Sequence, residues 1–207
     1  MLAAANRGVY PAYGVHPHWA HLWSPAASAD LRRRTAQAVA VGEIGLDYVN
    51  PAADRQLQQK VFRAQLEIAH DAGLPVLIHC RHAFADCLTI VRAVGVPHGG
   101  IMHAFSGSLE VARTCTRLGL MLGIAGPVTY RNAVRLPQIV AGLGLVQLVL
   151  ETDTPDLAPE PLRGMPNTPA HLVHIARKVA ELCTTTLDRV AAMTTANVRE
   201  TLRLPPL

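Results

Sequence analysis

Four hydrophobic runs in this chain each stop at a side chain able to bind a metal ion. Ala38–Val41 leads through Gly42 to Glu43, and Pro75–Ile78 leads to His79. Gly99–Met102 leads to His103, and Val146–Leu150 leads to Glu151, Thr152 and Asp153. A continuous apolar run of this length suits a strand buried on both faces. A lone strand-end histidine is more often hydrogen-bonded than ligating. A lone strand-end carboxylate is often a helix cap or an arginine partner. Glu43, His79, His103 and Asp153 together reverse that reading, because burying them side by side without a cation is very unfavourable. Two carboxylates and two imidazoles suit zinc, manganese or a comparable divalent ion. Cys80 neighbours His79 on its strand and should face the other way. Arg81 could neutralise part of the charge, or could hold a phosphate in its planar fork.

The elements that must carry these residues alternate. A strand over 9–15 ends at Gly14-Val15-His16-Pro17-His18. One helix is expected between Trp19 and Val39, capped by Ser28 or Asp30, with Arg32, Arg33 and Arg34 on a solvated face. A helix from about Ala53 to Ala72 carries Leu57, Val61, Ala64 and Ile68 at helical spacing. Further helices are expected over 83–94, from Ser108 to Gly119, and over 133–141, with a strand at Leu120–Ile124 between the last two. Thr168-Pro169 starts a C-terminal pair of helices, with Asn197–Leu204 as the last. Strands and helices alternating six times imply a parallel sheet. Ligands at the carboxyl ends of several strands favour a TIM-type (β/α) barrel, incomplete with about six of eight strands, over a doubly wound sheet. No G-x-G-x-x-G follows a first strand, which weakens the doubly wound alternative.

The 207 residues, half of them hydrophobic and 16% charged, are enough for one domain over 1–207. The net charge of +4 is carried almost wholly by arginine and permits a polyanionic partner without demanding one. Cys80, Cys87, Cys115 and Cys183 form no C-x-x-C pair and read as reduced thiols of a cytoplasmic protein. No apolar run approaches the ~18 residues of a membrane span, and the first residues do not read as a signal peptide.

Six segments carry a family resemblance: GVHPH (14–18), GEIGLDY (42–48), IHCR (78–81), MHAFSG (102–107), ETDTP (151–155) and NTPAHLVHIA (167–176). In this order the chain resembles the TatD family of metal-dependent deoxyribonucleases, (β/α)8 barrels with a two-metal hydrolytic site. The resemblance implies that Glu43 bridges the metals and that His79 and His103 complete the second metal site. It implies that Asp153 binds the first metal and orients or deprotonates the attacking water. His16 or His18, with Arg81, would meet substrate phosphate. The cofactor would be Zn, Mn or Mg, and the substrate DNA, trimmed from single-stranded ends as by a 3'-5' exonuclease.

The family's opening His-x-His strand has no counterpart here. The expectation is a chain lacking the first two βα units, with one ion held at the second metal site and the first site weak. Open sheet edges would then favour self-association. Asp156 stands where the family often has an aromatic residue. Pro166 stands for an arginine, a loss that Arg163 could offset. The competing functions are a metal-dependent hydrolase of another bond, such as an amide or lactone, and an inactive fragment acting as a binding or assembly unit.

Overall fold

The computed structural model describes residues 3, 6 and 8–205. Six strands and seven α-helices follow one another along the described chain. β1 (Ala12–Tyr13), α1 (Pro25–Arg34), β2 (Ala40–Asp47), α2 (Arg55–Asp71), β3 (Val76–Arg81) and α3 (Phe84–Val94) come first. β4 (Gly100–Met102), α4 (Leu109–Arg117), β5 (Leu120–Ile124), α5 (Arg135–Leu143), β6 (Leu148–Leu150), α6 (Leu172–Leu182) and α7 (Leu187–Leu202) complete the order. β1, β2 and β3 are neighbours in that order, and β5 lies beside β6. β1–β2, β2–β3 and β5–β6 pair in parallel, as the alternation of strand and helix requires. The chain divides into two compact units: one runs to Ile101 and takes in the residues from Thr201, the other is Met102–Glu200. Among the described residues no helix is long and apolar enough to cross a membrane.

In the first unit, β1 is shorter than the strand over 9–15 expected from sequence. The cause lies outside the strand. The N–H of Val15 donates to Gln65 Oε1 at 2.6 Å, and the Val15 carbonyl accepts from Gln65 Nε2 at 3.0 Å. A helix side chain therefore satisfies the backbone that a longer ladder would have used. The segment after it also differs from expectation. A 3-10 helix over Pro17–Leu22 comes first, and α1 starts separately at Pro25. Its cap is Ser24, whose hydroxyl accepts from Ala27 N at 3.2 Å, not Ser28 or Asp30. The arginine run does lie on a solvated face: Arg33 and Arg34 pair with Asp30, and Arg32 pairs with Asp71.

β2 does not end at Glu43 but continues to Asp47. Val41 pairs with Val76 and Ile44 with Ile78, so β2 holds one extra residue at Gly42–Glu43. Such a bulge re-aims the side chain that it carries. Asp54 caps α2, its carboxylate accepting from Leu57 N at 2.9 Å. It buries Val61, Phe62, Leu66, Ile68 and Ala69, and with them two glutamines, Gln58 and Gln65. Along β3, Val76, Ile78 and Cys80 are buried while Leu77 and His79 alternate with them, so Cys80 points away from His79 as expected.

In the second unit, β5 and β6 pair Leu122 with Leu148 and Ile124 with Leu150. Leu122, Ile124, Val128, Ile139, Val140, Leu148, Ile175 and Val179 form its interior. The last helix runs from Leu187 to Leu202, so Asn197 sits inside it and is not its start. Asn197 is buried, and its Nδ2 donates to Leu145 O and Leu148 O, both at 2.8 Å. Asn197→Ala leaves two carbonyls short of a donor, the one on Leu148 buried and the one on Leu145 half-buried. It should cost about 1–3 kcal/mol, read as a lower urea midpoint with an unchanged m-value. A midpoint equal to the parent's would show that water replaces the amide freely.

Candidate metal centre

The β2–β3 register builds the first cluster. Gly45 lies opposite His79. Glu43 and Asp47, two residues to either side of Gly45, share its face of the strand. The imidazole of His79 therefore fits between two carboxylates, with Nδ1 at 2.7 Å from Glu43 Oε1 and Nε2 at 2.9 Å from Asp47 Oδ2. Only glycine allows this approach. A Cβ on Gly45 would fall 1.9 Å from the His79 carbonyl oxygen, and its φ is +143°.

Asp47 is 2% exposed and is fixed from several directions. Its carboxylate accepts from Val49 N at 2.9 Å and lies 3.1 Å from His18 Nε2. Burial, the largest influence, pushes the Asp47 carboxyl up. The Val49 N–H and the His79 hydrogen bond outweigh it and hold the group below the usual carboxylate range. Burial likewise pulls His79 down most strongly, yet its hydrogen bonds to the Glu43 and Asp47 carboxylates together raise it above the ordinary histidine value. His16 goes the other way. Burial, then the charge of His79, lowers it to about 4. It is neutral at pH 7, so its 3.9 Å approach to Glu43 is not an ion pair.

The donor set fits a divalent ion. His16, Glu43 and His79 each offer a ligand atom, all within 4.8 Å of one another. Metal–nitrogen and metal–oxygen bonds of about 2.0–2.2 Å can bridge that span after small rotations. The roles differ within the trio. His18 N donates to His16 Nδ1 at 3.2 Å, so neutral His16 carries its proton on Nε2 and presents a donor toward Glu43. Ligation through Nε2 would sacrifice that bond. Glu43 and His79 could serve a metal without that loss, and Asp47 would then orient the imidazole from behind.

The second unit repeats the arrangement with other residues. His103 Nδ1 is 2.9 Å from Glu151 Oε2, and Nε2 is 3.0 Å from Asp153 Oδ1. Glu151 is tied down by the Ala104 N–H. Gly123 makes room for it, since a Cβ there would sit 2.8 Å from the Glu151 carboxyl group. Asp153 holds a left-handed backbone, φ +55°, and so does Ala104 at +40°. Such conformations persist only where the surroundings impose them. For Asp153 the restraint comes from Asn167, which is 3% exposed. Its Nδ2 donates to Thr152 O and Asp156 O, both at 2.6 Å, bracing the chain on either side of Asp153.

Of the four expected ligands, Glu43 meets His79 in the first unit and His103 meets Asp153 in the second. His16 and His18 stand beside the first pair, with the His16 and His79 rings 4.4 Å apart. Arg81 is exposed at the end of β3. It lines a groove of about 510 Å³ with His18, His21 and Asp47. Sequence reasoning missed Asp47 and Glu151 as imidazole partners, although each lies in a motif it singled out. The available signal was the pairing of a strand-end carboxylate with a histidine on the neighbouring strand.

Comparison with known proteins agrees with this chemistry. A family model described as TatD related DNase matches residues 1–203. The chain is 38% identical over 199 residues to the uncharacterized metal-dependent hydrolase YabD of Bacillus subtilis, covering 95% of this chain and 78% of that one. It is 36% identical over 207 residues to the 3'-5' ssDNA/RNA exonuclease TatD of Klebsiella pneumoniae, covering 96% and 78%. The crystal structure of YjjV, a TatD homologue from Escherichia coli, superposes with a TM-score of 0.94 at 31% identity, covering 99% of this chain and 80% of that one. With a parallel sheet, carboxylate-flanked imidazoles at its strand ends and a family match along nearly its whole length, the chain belongs to the TatD related DNase family of metal-dependent hydrolases.

Proposed function

We propose that this chain is a metal-dependent phosphodiesterase that shortens single-stranded DNA from its 3' end. The observation that carries the reading is the convergence of Glu43 and His79 donor atoms, with His16 beside them, at a spacing a divalent ion can bridge. The 36% identity to a relative named a 3'-5' ssDNA/RNA exonuclease supports the choice of substrate. Glu43, His79, His103 and Asp153 are assigned as the ligands. When bound, the metal supplies Lewis acidity and positive charge against the phosphoryl oxygens. Asp153 accepts the proton of the attacking water. Asp47 and Glu151 hold the two imidazoles in orientation. The His16 Nε2–H, His18 and Arg81 meet phosphate oxygens, where Arg81 adds a planar pair of donors. The buried thiols of Cys80, Cys87 and Cys115 suit work in a reducing, cytoplasmic setting.

The test is incubation of purified protein with end-labelled single-stranded DNA, duplex DNA and RNA. Mn²⁺ or Mg²⁺ is supplied, then a chelator. Stepwise loss of 3' nucleotides from single-stranded DNA, abolished by the chelator and restored by metal, is the expected outcome. Metal-dependent cleavage of an amide or lactone substrate with intact DNA would replace this reading with the related-hydrolase alternative. Absence of any cleavage in all metal conditions would leave the binding-unit alternative standing.

A further inference from the structure

Two buried polar side chains of α2 take no part in the chemistry above, yet each grips the backbone beside a residue that does. Gln65 is fully buried, and it exchanges two hydrogen bonds with the peptide groups of Val15, immediately before His16. Gln58 is 4% exposed and does the same for Asp47. The Asp47 N–H donates to Gln58 Oε1 at 2.9 Å, and Gln58 Nε2 donates to the Asp47 carbonyl at 3.0 Å. Neither amide has an intrahelical purpose. The two lie seven residues apart, so they project from one face of the helix about 10 Å from each other.

We propose that Gln58 and Gln65 are positioning residues, through which α2 sets the placement of the metal-facing and the substrate-facing histidines separately. Gln58 acts through Asp47, which holds His79 Nε2 and so aims Nδ1 at Glu43. Gln65 acts through Val15, which starts the turn that presents His16. A side-chain amide suits this task because it pairs with both polar groups of a single residue. It thereby fixes that residue's height and its rotation at once. The proposal rests on the metal-dependent reading for what the two histidines do, but not for how they are held.

The experiment compares Gln58→Met, Gln65→Met and, as a packing control on the same helix, Leu66→Ala. For each, the Mn²⁺ dissociation constant, kcat and KM on a single-stranded oligonucleotide, the denaturation midpoint and the imidazole NMR signals are measured. Gln58→Met is expected to weaken Mn²⁺ binding tenfold or more, in the range seen when groups behind a ligand are removed, and to move the His79 signals most. Gln65→Met is expected to keep Mn²⁺ affinity within twofold, to raise KM several-fold and to move the His16 signals most. Leu66→Ala should lower the midpoint and leave affinity and KM near the parent's. If all three variants lose affinity and KM in step with stability, the glutamines only hold the fold and the proposal falls. It falls equally if both glutamine variants match the parent. Should the parent itself bind no metal and cleave nothing, the hydrolase reading fails. The imidazole signals then decide the proposal alone: selective movement of His79 and His16 upholds it, and stationary signals overturn it.

Discussion

Asp153→Asn is expected to lower kcat on single-stranded DNA by roughly a thousandfold, with little change in stability. Asparagine is isosteric with aspartate and tolerates the left-handed backbone that Asp153 adopts, so the chain there can keep its path. Its amide oxygen can still accept a hydrogen bond from His103 Nε2, now 3.0 Å from Asp153 Oδ1. What it loses is the negative charge and the capacity to take a proton from water. On the role proposed for Asp153 both losses fall on the reacting centre, so KM should change far less than kcat. Single-turnover kinetics, with the metal content measured on the same preparation, separates a failed proton transfer from a lost ion. Activity within tenfold of the parent would remove Asp153 from the reaction.

Gly45→Ala should be the most damaging single methyl addition in the first unit, costing more than about 4 kcal/mol. The new Cβ would meet the His79 carbonyl oxygen at 1.9 Å, far inside contact distance, and the backbone at φ +143° is closed to L side chains. That oxygen belongs to the paired strand and not to a flexible side chain, so relief requires β2 and β3 to part. Such a cost consumes most of the ~5–15 kcal/mol that holds a typical domain together. Gly119→Ala is the matched control. Gly119 also has a positive φ, +82°, but nothing lies within 4 Å of its added carbon, so its cost should stay near 1 kcal/mol. Urea denaturation followed by circular dichroism gives both numbers, and equal costs would show that the β2–β3 gap is softer than its geometry implies.

The positions of Glu43, His79, His103 and Asp153 were legible because carboxylates and imidazoles interrupt continuous hydrophobic runs. The partners of these side chains were not. Asp47 stands at the end of β2, where a carboxylate reads as a cap, and Glu151 adjoins Asp153 and was overshadowed by it. The bulge at Gly42–Glu43 also hid Asp47, because a strand thought to stop at Glu43 leaves no face for a second carboxylate four residues on. Gln58 and Gln65 fall on the apolar stripe of α2, but helical periodicity counts hydrophobic residues and passes over amides. That omission also made β1 look longer than it is. Asn197 misled in the same way. Its amide serves the carbonyls of Leu145 and Leu148 from within α7, whereas an isolated asparagine in sequence suggests a helix boundary. In each case the missing information was a long-range partner, which no local pattern contains.

The seven-residue interval between Gln58 and Gln65 restricts how this gene can change length. One codon gained or lost inside that interval would turn one amide by about 100° around the helix axis relative to the other. Frame-preserving insertions should accordingly accumulate in the connections flanking α2 and be purged from the helix segment between its two glutamines.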